Sequence, residues 1–231
     1  MGKKVMDNFR LLRRIPLFAG LEDEAVRALA SRAETNVYAP GERIISQSDE
    51  TQAFFIVLSG RAKIFRGTPE GKEQTLYLVE AGQPFCFCTA FTDKPYPVNV
   101  TALEKSRVAS VPSEDMEDLA RREPLLLLKI MQTLAGRLLE TMNLVESLAL
   151  HGTQKRIARF LRHSEGCCAA RPGEPFTLHI SHAEMARIVG TTPETLSRVI
   201  QRFKRRRLIE ASGRNIRIID HEGLVDATRN D

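Results

Sequence analysis

Glu194, Ser197 and Arg198, in the stretch TTPETLSRVIQRFKRRR, put a carboxylate, a hydroxyl and a guanidinium on one face of a helical run. These groups can read base edges. A carboxylate accepts from cytosine N4, arginine donates two bonds to guanine O6 and N7, and serine serves either. Gln201, Arg202 and Arg205 continue that face, and the run KRRR at 204–207 adds cations that can neutralise phosphates without reading sequence. A second group with chemical potential lies upstream in GQPFCFCTAF, where Cys86 and Cys88 stand one residue apart. Two thiols there can hold a metal or a haem iron, form a disulfide, or simply fill a core, since cysteine is among the most buried residue types.

The elements needed to present the first group are legible around it. Ser181 and Glu184 have capping-box spacing at the start of a short helix. Ala186 is small where a second helix must cross, and Gly190 can take the left-handed turn between them. Thr192 then caps a new helix with Pro193 at its first position, where a missing N–H costs nothing. Leu196, Val199, Ile200 and Phe203 supply its buried face, so Ala186, Gly190, Leu196 and Val199 have helix-turn-helix spacing. Beyond it, LIEASGRNIRIID reads as two strands about a turn at Gly213, a wing with Arg214 at its tip.

The charge follows the same division. Residues 151–231 hold 15 Lys/Arg and 9 Asp/Glu, against 19 and 20 in residues 1–150, so the basic excess is local and points to a polyanion. From Tyr38 to Pro112, β-prone runs alternate with glycine and proline breaks, the pattern of a sandwich or barrel. GLEDEAVRALASRA (20–33) precedes them as an amphipathic helix, and SEDMEDLARRE follows as a short helix with Ser113 as its N-cap. Pro124 opens a long helix to about residue 150. On it Leu127, Met131, Leu134, Leu138, Thr141, Val145 and Leu148 keep heptad spacing, and Leu128, Ala135, Met142 and Ala149 form an adjoining strip. A further helix spans 151–164, and EGCCAARPGEP (165–175) reads as a loop. The boundaries this suggests are 1–112 for a β sensor domain, 113–150 for the helical segment and 151–231 for a nucleic-acid-binding domain, an α+β chain.

No apolar run is long enough to span a bilayer, and the basic N-terminus has no apolar signal core, so the expected setting is the cytoplasm, with no membrane partner. Neither a C-x-x-C pair nor a nucleophile–base or phosphate-loop constellation is present, which argues against zinc ribbons and against an enzyme. Cys167 and Cys168, being adjacent, are poorly placed for a mutual disulfide.

In this order the parts resemble a CRP/FNR-family transcription regulator over about residues 9–225. The match runs through YAPGERIISQSDETQAFFIVLSGRAKIF, GKEQTLYLVEAGQPF, the long helix and ISHAEMARIVGTTPETLSRVIQRF. The resemblance implies a jelly-roll sensor of the cyclic-nucleotide-binding type, a dimerisation helix, and a winged helix that binds palindromic double-stranded DNA as a homodimer, with RNA polymerase as a further partner. Glu194, Ser197 and Arg198 match the family's E-x-x-S-R base-reading pattern in the form that reads TTGA-type half-sites. Pro193 stands where the cAMP-responsive branch has arginine. Ser181, His182, Thr192, Thr195, Arg202, Arg205 and Arg214 complete the expected DNA-binding set.

The resemblance also bears on the effector. Pro97 and Val98 stand where the cyclic-nucleotide branch needs a phosphate-binding arginine, so cAMP is not expected. No cysteine precedes Cys86, so the iron–sulfur cluster of the oxygen-sensing branch is not expected either. PFCFC is similar to the haem-ligand stretch of the CO-sensing branch. This implies a pocket of Phe85, Cys86, Phe87, Cys88 and Phe91, with Cys86 as thiolate ligand to haem iron. FTDKPYPVNVTALEKSRV looks like the nitric-oxide-responsive branch, which implies a role in nitrosative stress. The alternative is a direct thiol redox switch at Cys86 and Cys88 without a cofactor.

Overall fold

Strand β3 (Ala53–Ser59) sends alternate side chains into two different cores, as a strand buried on both faces must. Phe54 and Ile56 pack with helical residues such as Val26, Met116 and Leu126, whereas Phe55 and Val57 join Ile64, Val79, Val100 and Val108. The structure, a computed structural model, describes residues 2–47, 49, 52–86, 92, 94–169 and 171–226. The chain divides into two compact units, residues 1–140 and 141–231.

In the first unit eight strands form two four-stranded antiparallel sheets. They are β1 (Glu34–Tyr38), β2 (Arg43–Ile45), β3, β4 (Arg61–Gly67), β5 (Glu73–Glu80), β6 (Pro84–Phe85), β7 (Asn99–Ala102) and β8 (Ser106–Pro112). The sheet orders are β1-β8-β3-β6 and β2-β7-β4-β5, and the second core lies between them. This is the expected sandwich. Helix α1 (Gly2–Leu12), absent from the sequence reading, packs on α2 (Asp23–Arg32) through a buried amide. Asn8 Nδ2 donates to the carbonyls of Ala30 and Ala33, and its Oδ1 accepts from Thr35 Oγ1, so a polar side chain is satisfied inside an apolar layer.

Two helices follow. In α3 (Ser113–Arg122) the N-cap position belongs to Pro112, not to Ser113 as expected. Ser113 is the first helical residue, and its buried hydroxyl has no partner among the described residues. A cap residue must keep extended backbone while the helix starts after it, and Pro112 already holds ψ at 140°. Helix α4 (Pro124–Leu150) begins at the expected proline. It buries Leu126 and Ile130 in the first core and leaves the heptad row exposed, Met131, Leu138 and Val145 among it.

The second unit is built on α5 (Thr153–Cys168), β9 (Phe176–Thr177), α6 (His182–Val189), α7 (Pro193–Arg205), β10 (Ile209–Ser212), β11 (Asn215–Ile218) and α8 (His221–Asp226). Ser181 Oγ accepts from the Glu184 N–H at 3.1 Å and caps α6. Gly190 ends that helix at φ 68°, ψ 48°, a conformation that penalises any side chain. Thr192 Oγ1 accepts from the Thr195 N–H and caps α7 behind Pro193. Each local signal of the helix-turn-helix is therefore in place. Helix α5 runs to Cys168, past the expected end at 164, because Glu165 has work inside the fold. Its buried carboxylate accepts from the Gly173 N–H at 2.9 Å and meets His221 Nε2 at 2.7 Å.

One side chain ties this unit together. The Arg156 guanidinium donates to Val189 O at 2.7 Å, Gly190 O at 3.0 Å and His151 O at 2.8 Å. It thereby satisfies carbonyls at the end of α6, where helix termini leave acceptors unpaired, and fixes the start of α5 against the helix turn. Arg156→Met should destabilise the second unit by about 2–3 kcal/mol, the scale of charge-assisted bonds lost with acceptors left behind. Arg156→Lys, a single point donor, should recover only part of that loss. Urea unfolding followed by circular dichroism checks both.

Candidate nucleic-acid interface

Helix α7 is sharply two-sided. Leu196, Val199 and Phe203 are buried and Ile200 is half-buried, while Glu194, Ser197, Arg198, Gln201, Arg202 and Arg205 are all exposed. Arg198 Nη2 donates to Thr195 Oγ1 at 3.1 Å, so the guanidinium is held over the first turn before any ligand arrives. Glu194 has its carboxyl held below the ordinary carboxylate range, first by its own backbone N–H and then by the Thr192 hydroxyl. It is therefore a constant acceptor at neutral pH.

The structure adds a partner to this face that sequence reasoning missed. The start of α5, Gly152 to Gln154, lines a cavity of about 780 Å³ whose other wall is Thr195, Ser197, Arg198, Gln201, Arg202 and Arg205. Gly152 is the N-cap of α5 and supplies no side-chain bond, so the first N–H groups of a sixteen-residue helix carry no side-chain cap there. A helix N-terminus carries about half a positive charge and is an anion site in its own right. Arginines on the opposite wall act in the same direction. An anionic backbone is the ligand this cavity suits.

The remaining expected residues are distributed differently. Ser181, His182, Thr192, Glu194 and Arg214 are exposed but do not line the cavity. Arg214 lies next to Gly213 (φ 59°) in the β10–β11 hairpin, and its carbonyl accepts from the Leu178 N–H at 2.8 Å. All four side chains of the KRRR run are exposed, but they are held differently. Lys204 Nζ donates to Ala211 O at 2.9 Å and ties α7 to the wing, and Arg207 turns left-handed at φ 56° as the chain leaves the helix. Only Arg205 of the four faces the cavity. The run ends a helix, so its side chains must fan out.

Of the expected effector pocket in the first unit, Phe85 and Cys86 are described, and both lie in a packed core with Phe55 and Tyr96. Phe85 stacks on Phe55 with ring centroids 5.4 Å apart, and Tyr96 meets Phe55 edge-on at 6.1 Å. The Tyr96 hydroxyl donates to Ala53 O and accepts from Ala53 N–H, so even its polar end is satisfied internally. Cys86 belongs to this cluster, 6% exposed, and takes φ 59°, rare for a residue with a side chain. Phe87, Cys88 and Phe91 lie outside the described residues. All five histidines of the chain fall at 151 or later, so no imidazole accompanies Cys86 in the first unit. Among the described residues no group of three His, Cys, Asp or Glu side chains stands together.

Comparison with known proteins agrees with this architecture. Residues 35–123 match the model of the cyclic nucleotide-binding domain, and residues 155–227 match the Crp-like helix-turn-helix domain. The cyclic AMP receptor protein of Thermus thermophilus is 31% identical over 185 residues, covering 80% of this chain and 83% of that one. The fumarate and nitrate reduction regulatory protein of Vibrio cholerae is 27% identical over 188 residues, covering 80% and 75%. Among solved structures, FixK2 of Bradyrhizobium japonicum superposes with a TM-score of 0.72 at 20% identity, covering 84% of this chain and 96% of that one. A mutant of CooA from Carboxydothermus hydrogenoformans gives 0.76 at 22%, covering 86% and 88%, and both likenesses speak to fold alone. With a sandwich of this topology, a capped helix-turn-helix and a wing in one chain, the protein belongs to the CRP/FNR family of DNA-binding transcription regulators.

Proposed function

We propose that this regulator binds palindromic DNA as a homodimer, reading TTGA-type half-sites with α7 and gripping the flanking phosphates between α7 and the start of α5. The observation that carries the reading is the shared cavity. It sets an N-terminus without a side-chain cap and two further arginines, Arg202 and Arg205, beside the exposed Ser197 and Arg198. Base reading belongs to Glu194, Ser197 and Arg198 near the start of α7, where a recognition helix meets the major groove. Ser181, His182 and Thr192 at the helix starts, and Arg214 on the wing, are assigned to the duplex backbone. RNA polymerase is the expected further partner on DNA.

Pairing of two chains is assigned to α4. Its exposed Leu127, Met131, Leu134, Leu138, Val145 and Leu148 are the apolar positions of the heptad row, and a second copy would remove them from water. The signal is assigned to the aromatic core around Phe55, Phe85 and Tyr96, where a cyclic nucleotide's phosphodiester would find apolar neighbours. A small uncharged effector suits that interior better, and nitric oxide and CO are of that kind. Cys86, buried in this core, is assigned as the candidate thiolate ligand of a haem iron that would bind such a gas, and a direct thiol redox switch at Cys86 and Cys88 without a cofactor is the alternative.

Four outcomes test these assignments. Arg198→Ala should cost about 1–3 kcal/mol per half-site and relax sequence preference. Arg205→Ala should weaken all sequences alike and lower the salt-dependence slope by about one per subunit. Gel-shift titrations over a series of salt concentrations separate the two. Leu138, 62% exposed, can be changed without disturbing the core. Leu138→Asp should yield folded monomer in analytical ultracentrifugation, and a variant that stays dimeric would remove α4 as the interface. Protein from haem-supplied cells should show a Soret band that Cys86→Ala abolishes, and the absence of a band at any level of haem would leave the direct thiol reading.

A further inference from the structure

The thiols of this chain differ in what can reach them. Cys86 is buried in the aromatic core, whereas Cys167 and Cys168, at the end of α5, are exposed and in no disulfide. His163 is exposed one turn earlier on the same helix face as Cys167, and Cys167 Sγ lies 3.7 Å from His163 Nε2. Sulfur and nitrogen donors bound to one tetrahedral zinc-class ion, at ordinary bond lengths, stand about 3.6 Å apart. The pair therefore already holds the separation that a shared ion needs.

We propose that His163, Cys167 and Cys168 form a binding site for a soft, zinc-class divalent cation at the end of α5. His163 and Cys167 are the prepared donors. No three such side chains are assembled among the described residues, so Cys168 is recruited as the ion binds. That movement is local, because Cys168 is the last residue of the helix and the chain leaves it extended at Ala169 (φ −87°, ψ 145°). Binding displaces two thiol protons to solvent, and two thiolates neutralise the dication. A complex with no net charge adds nothing to the positive charge of a unit that holds 15 Lys/Arg among residues 151–231. A softer, thiolate-rich set selects zinc or cadmium over magnesium or calcium. The ion would clip the last turn of α5, the turn that also carries the Glu165 carboxylate holding Gly173 and His221.

The test is a Cd²⁺ titration of the full-length protein carrying Cys88→Ser, followed by the ultraviolet thiolate-to-metal charge-transfer band, with Zn²⁺ competition against a chromophoric chelator. One equivalent should saturate the band. Cys167→Ser should abolish it, and Cys168→Ser and His163→Ala should each weaken binding about ten-fold or more. All three positions are exposed, so metal-free thermal unfolding of these variants should match the parent and separate a lost site from a lost fold. Absence of the band, or a band of equal affinity in Cys167→Ser, would overturn the site.

Discussion

The second unit depends on how the turn between α6 and α7 is held. Gly190 supplies a backbone angle that other residues adopt only with strain, and the turn leaves helix-end carbonyls without helical partners. Arg156 closes that account with bonds to Val189 and Gly190 while bonding His151 just ahead of its own helix. One guanidinium thus ties the end of α6 and the turn after it to the start of α5, which lines a cavity together with α7.

The two units carry opposite chemistry. The first unit's inner core is aromatic and internally satisfied, down to the Tyr96 hydroxyl on Ala53. The second unit presents arginines, a fixed carboxylate and a helix N-terminus to solvent. The cysteines divide in the same way. Cys86 is packed in the core, with a backbone angle that suits glycine better, while Cys167 and Cys168 face water beside an imidazole. Accessible thiol chemistry, as far as the described residues go, therefore belongs to the reading unit rather than to the sensor.

The parts of the fold that were legible in the sequence are those specified by neighbours in the chain. Ser181, Gly190, Thr192 and Pro193 act within four residues of themselves, and Pro124 and Gly213 mark their helix and hairpin directly. Short β-prone runs between regular turn signals foretold a sandwich or barrel, although not the order β1-β8-β3-β6, which joins segments far apart in the chain. What escaped was set by distant partners. Arg156 reaches 33 and 34 residues along the chain, Asn8 reaches 22 and 25, and Glu165 reaches His221 across 56. None of these leaves a periodic trace.

The central claim is that α7 and the start of α5 together address DNA, two copies at a time. Selection of binding sites from randomised duplex DNA by the purified full-length protein tests it most directly. The account predicts enrichment of an inverted repeat with TTGA-type half-sites centred about one helical turn apart, as two-fold symmetric reading heads require. Enrichment of a single unrepeated site, or of no sequence at all, would contradict it.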